Sequence, residues 1–148
     1  MDTRLWDQVV VLHARVEHDL GRALQRRHGI GLSEFRALSK LAVAHDGELR
    51  MQELADSIGL NQSSVSRLAV RLETDGLTRR DLCPKDRRGV YSVITDEGRT
   101  RLAEARATYA DALAAALAKA AADPQLADVA AALGTTAAVA DRVGSVSL

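Results

Sequence analysis

Apolar side chains recur along this chain at two different periods, and the changes of period outline the fold. From about Arg4 to His28 they fall at Leu5, Val9, Leu12, Val16, Leu20 and Leu24. Steps of three and four place them on one stripe of a helix. Gly29 and Gly31 end it. The next helix is predicted with Ser33 as its N-cap and Leu32 as the staple residue before it. It buries Phe35, Leu38, Leu41 and Ala42 and stops near the Asp46-Gly47 turn. Glu48 to Arg50 has room only for a small strand added to a sheet.

Met51 to Ile58 forms a short helix with Leu54, Ala55 and Ile58 inward. Gly59 supplies the positive φ of a tight inter-helix turn. Asn61 caps the following helix, which runs to about Asp75. Its inner face is Val65, Leu68, Ala69 and Leu72, spaced i, i+3, i+4, i+7, and Gly76 ends it. Leu77 to Cys83 and Val90 to Ile94 then read as strands around a polar, charged loop from Pro84 to Gly89. Thr95 is the N-cap of a long helix, with Asp96 and Glu97 in its first turn. That helix reaches about Ala122 and carries Leu102, Ala105, Tyr109, Leu113 and Leu117 on a stripe. Asp123-Pro124 breaks it. A last helix from Pro124 to about Val143 carries Leu126, Val129, Leu133 and Val139.

Helix, glycine turn, helix and charged hairpin follow in the order that a winged helix-turn-helix needs. The predicted fold class is therefore mainly α with a small β-hairpin wing. One domain is expected over residues 1–148, with the winged helix-turn-helix at 32–100. The helices at 1–30 and 101–148 are apolar on one face, more than a small winged module can bury. Pairing with a second copy covers such faces, so these are read as dimerisation helices. A two-fold dimer also sets two recognition helices on one side, matching a palindromic site.

The 148 residues are 47% hydrophobic and 27% charged, as expected of a folded domain, with aromatics at only 3%. The net charge is zero, which taken alone argues mildly against a nucleic-acid partner. The distribution changes that picture. Arg79, Arg80, Lys85, Arg87 and Arg88 lie close together against Asp81 and Asp86, while acids elsewhere cancel the excess. Phosphate responds to the local charge. Cys83 is the only cysteine, so no intramolecular disulfide forms and a reducing cytoplasm is the expected location. No signal peptide or membrane span is read in the sequence.

The outer face of the second motif helix offers Gln62, Ser63, Ser66, Arg67, Val70 and Arg71. Short polar side chains at its start allow close approach to base edges, and the helix N-terminus attracts phosphate. Gln62 suits adenine, and Arg67 suits guanine or a phosphate. The competing reading is an ordinary solvated helix face. In the loop, Asp86 stands two residues before Arg88 and is placed to hold its guanidinium by charge-assisted hydrogen bonds. An arginine ordered in that way enters a narrow minor groove at lower entropic cost. Lys85 and Arg87 are assigned to phosphates. A solvated charged turn is the plain alternative.

These motifs resemble the MarR family (multiple antibiotic resistance regulators) of winged-helix transcription factors. The resemblance covers Leu32 to Arg101. It is carried by Leu54-Ala55-Asp56, Gly59-Leu60, Ser63-Ser64-Val65-Ser66-Arg67-Leu68, Arg71-Leu72-Glu73, Asp75-Gly76-Leu77 and Arg79-Arg80. The wing pattern Cys83-Pro84-Lys85-Asp86-Arg87-Arg88-Gly89-Val90-Tyr91, then Ile94-Thr95 and Gly98, completes it. It implies an obligate homodimer with interlocked first, fifth and sixth helices on a pseudo-palindromic operator in double-stranded DNA. It also implies repression, and release by a small phenolic or anionic effector. By position, Ser63, Ser66 and Arg67 match the groove-reading helix, and Asp86 with Arg88 the wing pair.

Trp6 and His13, one or two turns apart on the first helix, are candidate effector contacts, with core packing or dimer contact as the alternative. Cys83 as a redox switch competes with Cys83 as a plain strand residue. His18, His28 and His45 have no metal-ligand spacing. No cofactor is implied, and no catalytic constellation appears, so an enzyme is not expected. The alternative function is a winged-helix module that binds another protein and no DNA.

Overall fold

The computed structural model describes residues 2–82 and 89–134. The chain falls into two compact units, one built from residues 1–23 and 109–148, the other from residues 24–108. Two helices, α1 (Thr3–His28) and α5 (Asp96–Ala121), supply residues to both.

The second unit begins with the last turn of α1, followed by α2 (Leu32–Val43). The expected cap of α2 is Ser33; the structure places it at Gly31, which is extended at φ −79°, ψ 165°. The reason is Glu34, whose carboxylate reaches back to accept the Gly31 amide at 3.3 Å. That bond satisfies the cap without a hydroxyl. Ile30 and Phe35, at the two staple positions, are both buried. The helix buries Ala37 along with Phe35, Leu38 and Leu41, while Ala42 is half-buried.

A short 3-10 turn (His45–Gly47) leads into β1 (Glu48–Arg50). Helices α3 (Met51–Ile58) and α4 (Gln62–Thr74) follow, then β2 (Thr78–Leu82) and β3 (Val90–Ile94). The expected hairpin is thus part of an antiparallel sheet with strand order β1-β3-β2. β3 pairs Tyr91 with Arg50 on one side and with Asp81 on the other. Helix α2 packs on α3 and β3, and α4 packs on α3 and β2. Ile30, Leu38, Leu41, Leu54, Val65, Leu68, Leu72, Leu77 and Leu102 are fully buried and form the core of this unit.

The first unit has a smaller core of Leu12, Ala120, Leu126, Val129 and Ala130, with Val16 and Leu117 packed against it. Arg15 donates to Asp123 at 2.7 Å, and Lys119 meets Asp19 at 3.4 Å. The Arg15 hydrogen bond, helped by the Gln125 amide at 2.9 Å, holds the Asp123 carboxyl below the usual carboxylate range. A final helix spans at least residues 127–134 and starts after Pro124 rather than at it. Its predicted apolar residue Leu133 is 49% exposed, and Val139 lies outside the described residues. On α1, Leu12, Leu20 and Leu24 are buried, but Leu5 and Val9 of the same stripe are exposed.

Candidate nucleic-acid interface

The candidate interface is built on α4. Its inner residues Val65, Leu68, Ala69 and Leu72 are at most 4% exposed, so the helix is anchored in the core along one side. Gly59 at φ 69° closes α3 and turns the chain toward α4. A residue with a side chain is strained in that conformation, which is why the sequence signal here is unambiguous. Asn61 then caps α4, its side chain accepting the Ser64 amide at 2.9 Å. By helix geometry the amides of Gln62 and Ser63, in the first turn, have no intrahelical acceptor. They sit at the positive end of the helix dipole, beside two exposed polar side chains.

Gln62, Ser63, Ser66, Arg67, Val70 and Arg71 are all exposed. Ser66, Arg67, Val70 and Arg71 line one open depression of about 410 Å³. Arg71 differs from the others in being tied to the fold: its Nε stands 3.4 Å from Glu34 Oε1. Glu34 carries no mark of this role in the sequence, where it reads as an ordinary acidic residue at the start of a helix.

The wing strands carry further charge. Arg79 and Arg80, both from the basic stretch, each meet a carboxylate: Arg79 is 3.6 Å from Asp81, and Arg80 is 2.9 Å from Glu73 on α4. Arg50 donates from Nε to the Tyr91 hydroxyl at 3.1 Å and lies over the Tyr91 ring. Lys85, Asp86, Arg87 and Arg88 lie outside the described residues, as does Cys83. Thr95 caps α5 by accepting the Gly98 amide at 3.0 Å, while its hydroxyl donates to the Gly76 carbonyl at 2.7 Å. One side chain thus joins the end of α4 to the start of α5.

In the first unit, Trp6 is 65% exposed, and His13 faces Glu17 at 3.4 Å on the exposed side of α1. Among the described residues no cluster of side chains is arranged to hold a metal ion. No helix among them is long and apolar enough to cross a membrane.

A short capped helix with an exposed polar face, seated on α3 and followed by the two strands that complete a three-stranded sheet, defines a winged helix-turn-helix protein. Comparison with known proteins narrows the class. A sequence profile of the MarR family matches residues 30–90. Sco3205 from Streptomyces coelicolor, a MarR family transcriptional regulator solved in complex with DNA, is 30% identical. The match covers 90% of this chain and 83% of that one, with a TM-score of 0.74. The chain belongs to the MarR family, a family of transcriptional regulators rather than enzymes. CouR from Rhodococcus jostii, solved with bound p-coumaroyl-CoA, is 27% identical over 70% of this chain and 71% of that one, with a TM-score of 0.63. The HTH-type transcriptional regulator MhqR from Bacillus subtilis is 33% identical over 49% of this chain. The chain spans about half the length of the curated relatives it matches.

Proposed function

We propose that this protein is a cytoplasmic, sequence-specific transcriptional regulator that binds double-stranded DNA as a homodimer and represses from a pseudo-palindromic operator. The observation that carries the reading is α4: a helix capped by Asn61, anchored by a buried apolar stripe, and exposing Gln62, Ser63, Ser66 and Arg67. Its likeness to a regulator solved on DNA supports the same reading. In this assignment Gln62, Ser63, Ser66, Arg67 and Arg71 face the major groove. Lys85 and Arg87 meet phosphates, and Asp86 orients Arg88 toward the minor groove.

A small phenolic or anionic effector is proposed to release the protein from DNA. The p-coumaroyl-CoA complex of CouR, a ligand both phenolic and anionic, supports that chemical class. Trp6 and His13 are the proposed contacts, being an aromatic and an imidazole that stand exposed on α1.

Selection from a random pool of duplex DNA tests the reading. The wild type should enrich an inverted repeat, and Arg88→Ala should bind the enriched duplex more weakly, with a salt slope smaller by about one. Arg88→Ala at full affinity would refute the wing assignment. An unenriched pool would favour a second reading, a winged-helix module that binds another protein. The zero net charge and the carboxylate partners of Arg79 and Arg80 speak for that second reading.

A further inference from the structure

We propose that Glu34, outside the helix-turn-helix, is a positioning residue for DNA binding: it grips Arg71 by Nε and so presents the terminal guanidinium nitrogens to a phosphate or base edge. The proposal rests on the DNA-binding reading above. Glu34 is the only charged side chain among the described residues that is buried. A carboxylate taken out of water must find donors. Glu34 finds two, the Gly31 amide at 3.3 Å and Arg71 Nε at 3.4 Å, and it sits in the first turn of α2, where the helix dipole favours a negative charge. The two partners are unequally placed: the Glu34 side chain is 12% exposed, whereas that of Arg71 is 54% exposed.

That asymmetry gives the pair its use. An ion pair with both charges enclosed loses the hydration of both ions and leaves no donor for a third partner. Here the anionic end is locked into the fold, and much of the guanidinium stands in solvent. Arginine carries a rigid fork of donors, and engaging Nε leaves those on the terminal nitrogens in a defined direction. Arg71 shares its depression with Ser66 and Arg67, the residues assigned to the groove. A cation ordered in advance loses less freedom when it meets DNA than one that must be ordered on contact. Glu73 and Arg80 form the contrasting case, with both side chains about half exposed.

A double-mutant cycle tests the coupling. Affinities for the duplex enriched by the wild type are measured for Glu34→Gln, Arg71→Ala and the double variant at one salt concentration. Glutamine keeps an acceptor for the Gly31 amide but removes the charge that holds Arg71. We expect Glu34→Gln to weaken binding about five-fold and Arg71→Ala about ten-fold, with the double variant no weaker than Arg71→Ala. If Glu34→Gln costs the same factor in both backgrounds, it acts through general stability and the proposal is overturned. Full affinity of Glu34→Gln overturns it as well. NMR relaxation of the Arg71 Nε–H, without DNA, adds an independent readout: ordered in the wild type, mobile in Glu34→Gln. A wild type that enriches no duplex sinks the DNA-binding reading and this proposal with it. An ordered Arg71 Nε–H would then show that the ion pair itself was not at fault.

Discussion

Gly98 joins the helix-turn-helix to the helix that follows the wing, and it does so by having no side chain. A Cβ there would collide with the Leu77 carbonyl oxygen and stand 2.9 Å from Ile94 Cγ1. The obstacle is backbone, and it is pinned from both sides. The Leu77 amide donates to Leu72 at 2.9 Å, and its carbonyl accepts the Thr95 amide at 3.1 Å. Gly98→Ala should therefore cost about 3 kcal/mol, read from urea unfolding at constant m-value. A loss below about 1 kcal/mol would show that the joint opens easily. The sequence marked Gly98 only through its family pattern, because the need for glycine comes from a contact with a distant residue. Gly59 was legible for the opposite reason: its positive φ is set by the local turn, and a Cβ there meets nothing within 4 Å. Glu34 was illegible on both counts, since neither its burial nor its partner Arg71 is encoded nearby.

Helix ends show the same division at the next scale. Asn61 and Thr95 were readable as caps because each precedes a strong apolar period and each side chain bonds an amide three residues on. Ser33 looked equally suitable, yet α2 starts earlier because Glu34 satisfies the Gly31 amide and both staple positions are buried. Competing cap solutions two residues apart cannot be separated by propensity alone. The small strand β1 was legible only as an allowance, since three residues carry almost no periodic signal and their pairing with β3 is made across the fold. The Asn61 cap gives the element-scale prediction. Asn61→Ala removes the acceptor for the Ser64 amide and should cost about 1 kcal/mol of stability. Its effect on DNA affinity should be larger than on stability, because fraying begins at Gln62 and Ser63, the end assigned to the groove. Hydrogen exchange of the first-turn amides together with duplex affinity checks this. Equal affinity with faster exchange would remove the start of α4 from the interface.

At the scale of the whole molecule, exposed apolar side chains are concentrated on one helix segment in the first unit. Leu5, Trp6, Val9, Val10 and Val11 on α1 are between 37% and 65% exposed, and Leu133 on the last helix is 49% exposed. Covering what remains open on these α1 side chains is worth on the order of 5 kcal/mol, taking about half of a full side-chain burial for each. Association of two chains costs at least about 4 kcal/mol, so α1 alone gives a marginal dimer. The proposed dimer therefore needs area from the last helix as well, where Leu133 is exposed. A charge placed in this patch should then be decisive. If the proposed homodimer forms through α1, Val10→Glu should sediment as a monomer at a micromolar concentration that keeps the wild type dimeric, because a carboxylate would have to be buried unpaired in the interface. A monomer meets the phosphates of one half-site only, so the slope of log affinity against log salt should fall to about half the wild-type value. A Val10→Glu dimer that still binds with the full slope would move the interface off α1. A wild type that sediments as a monomer would remove the two-fold reading of the operator altogether, leaving each α4 to read a single half-site.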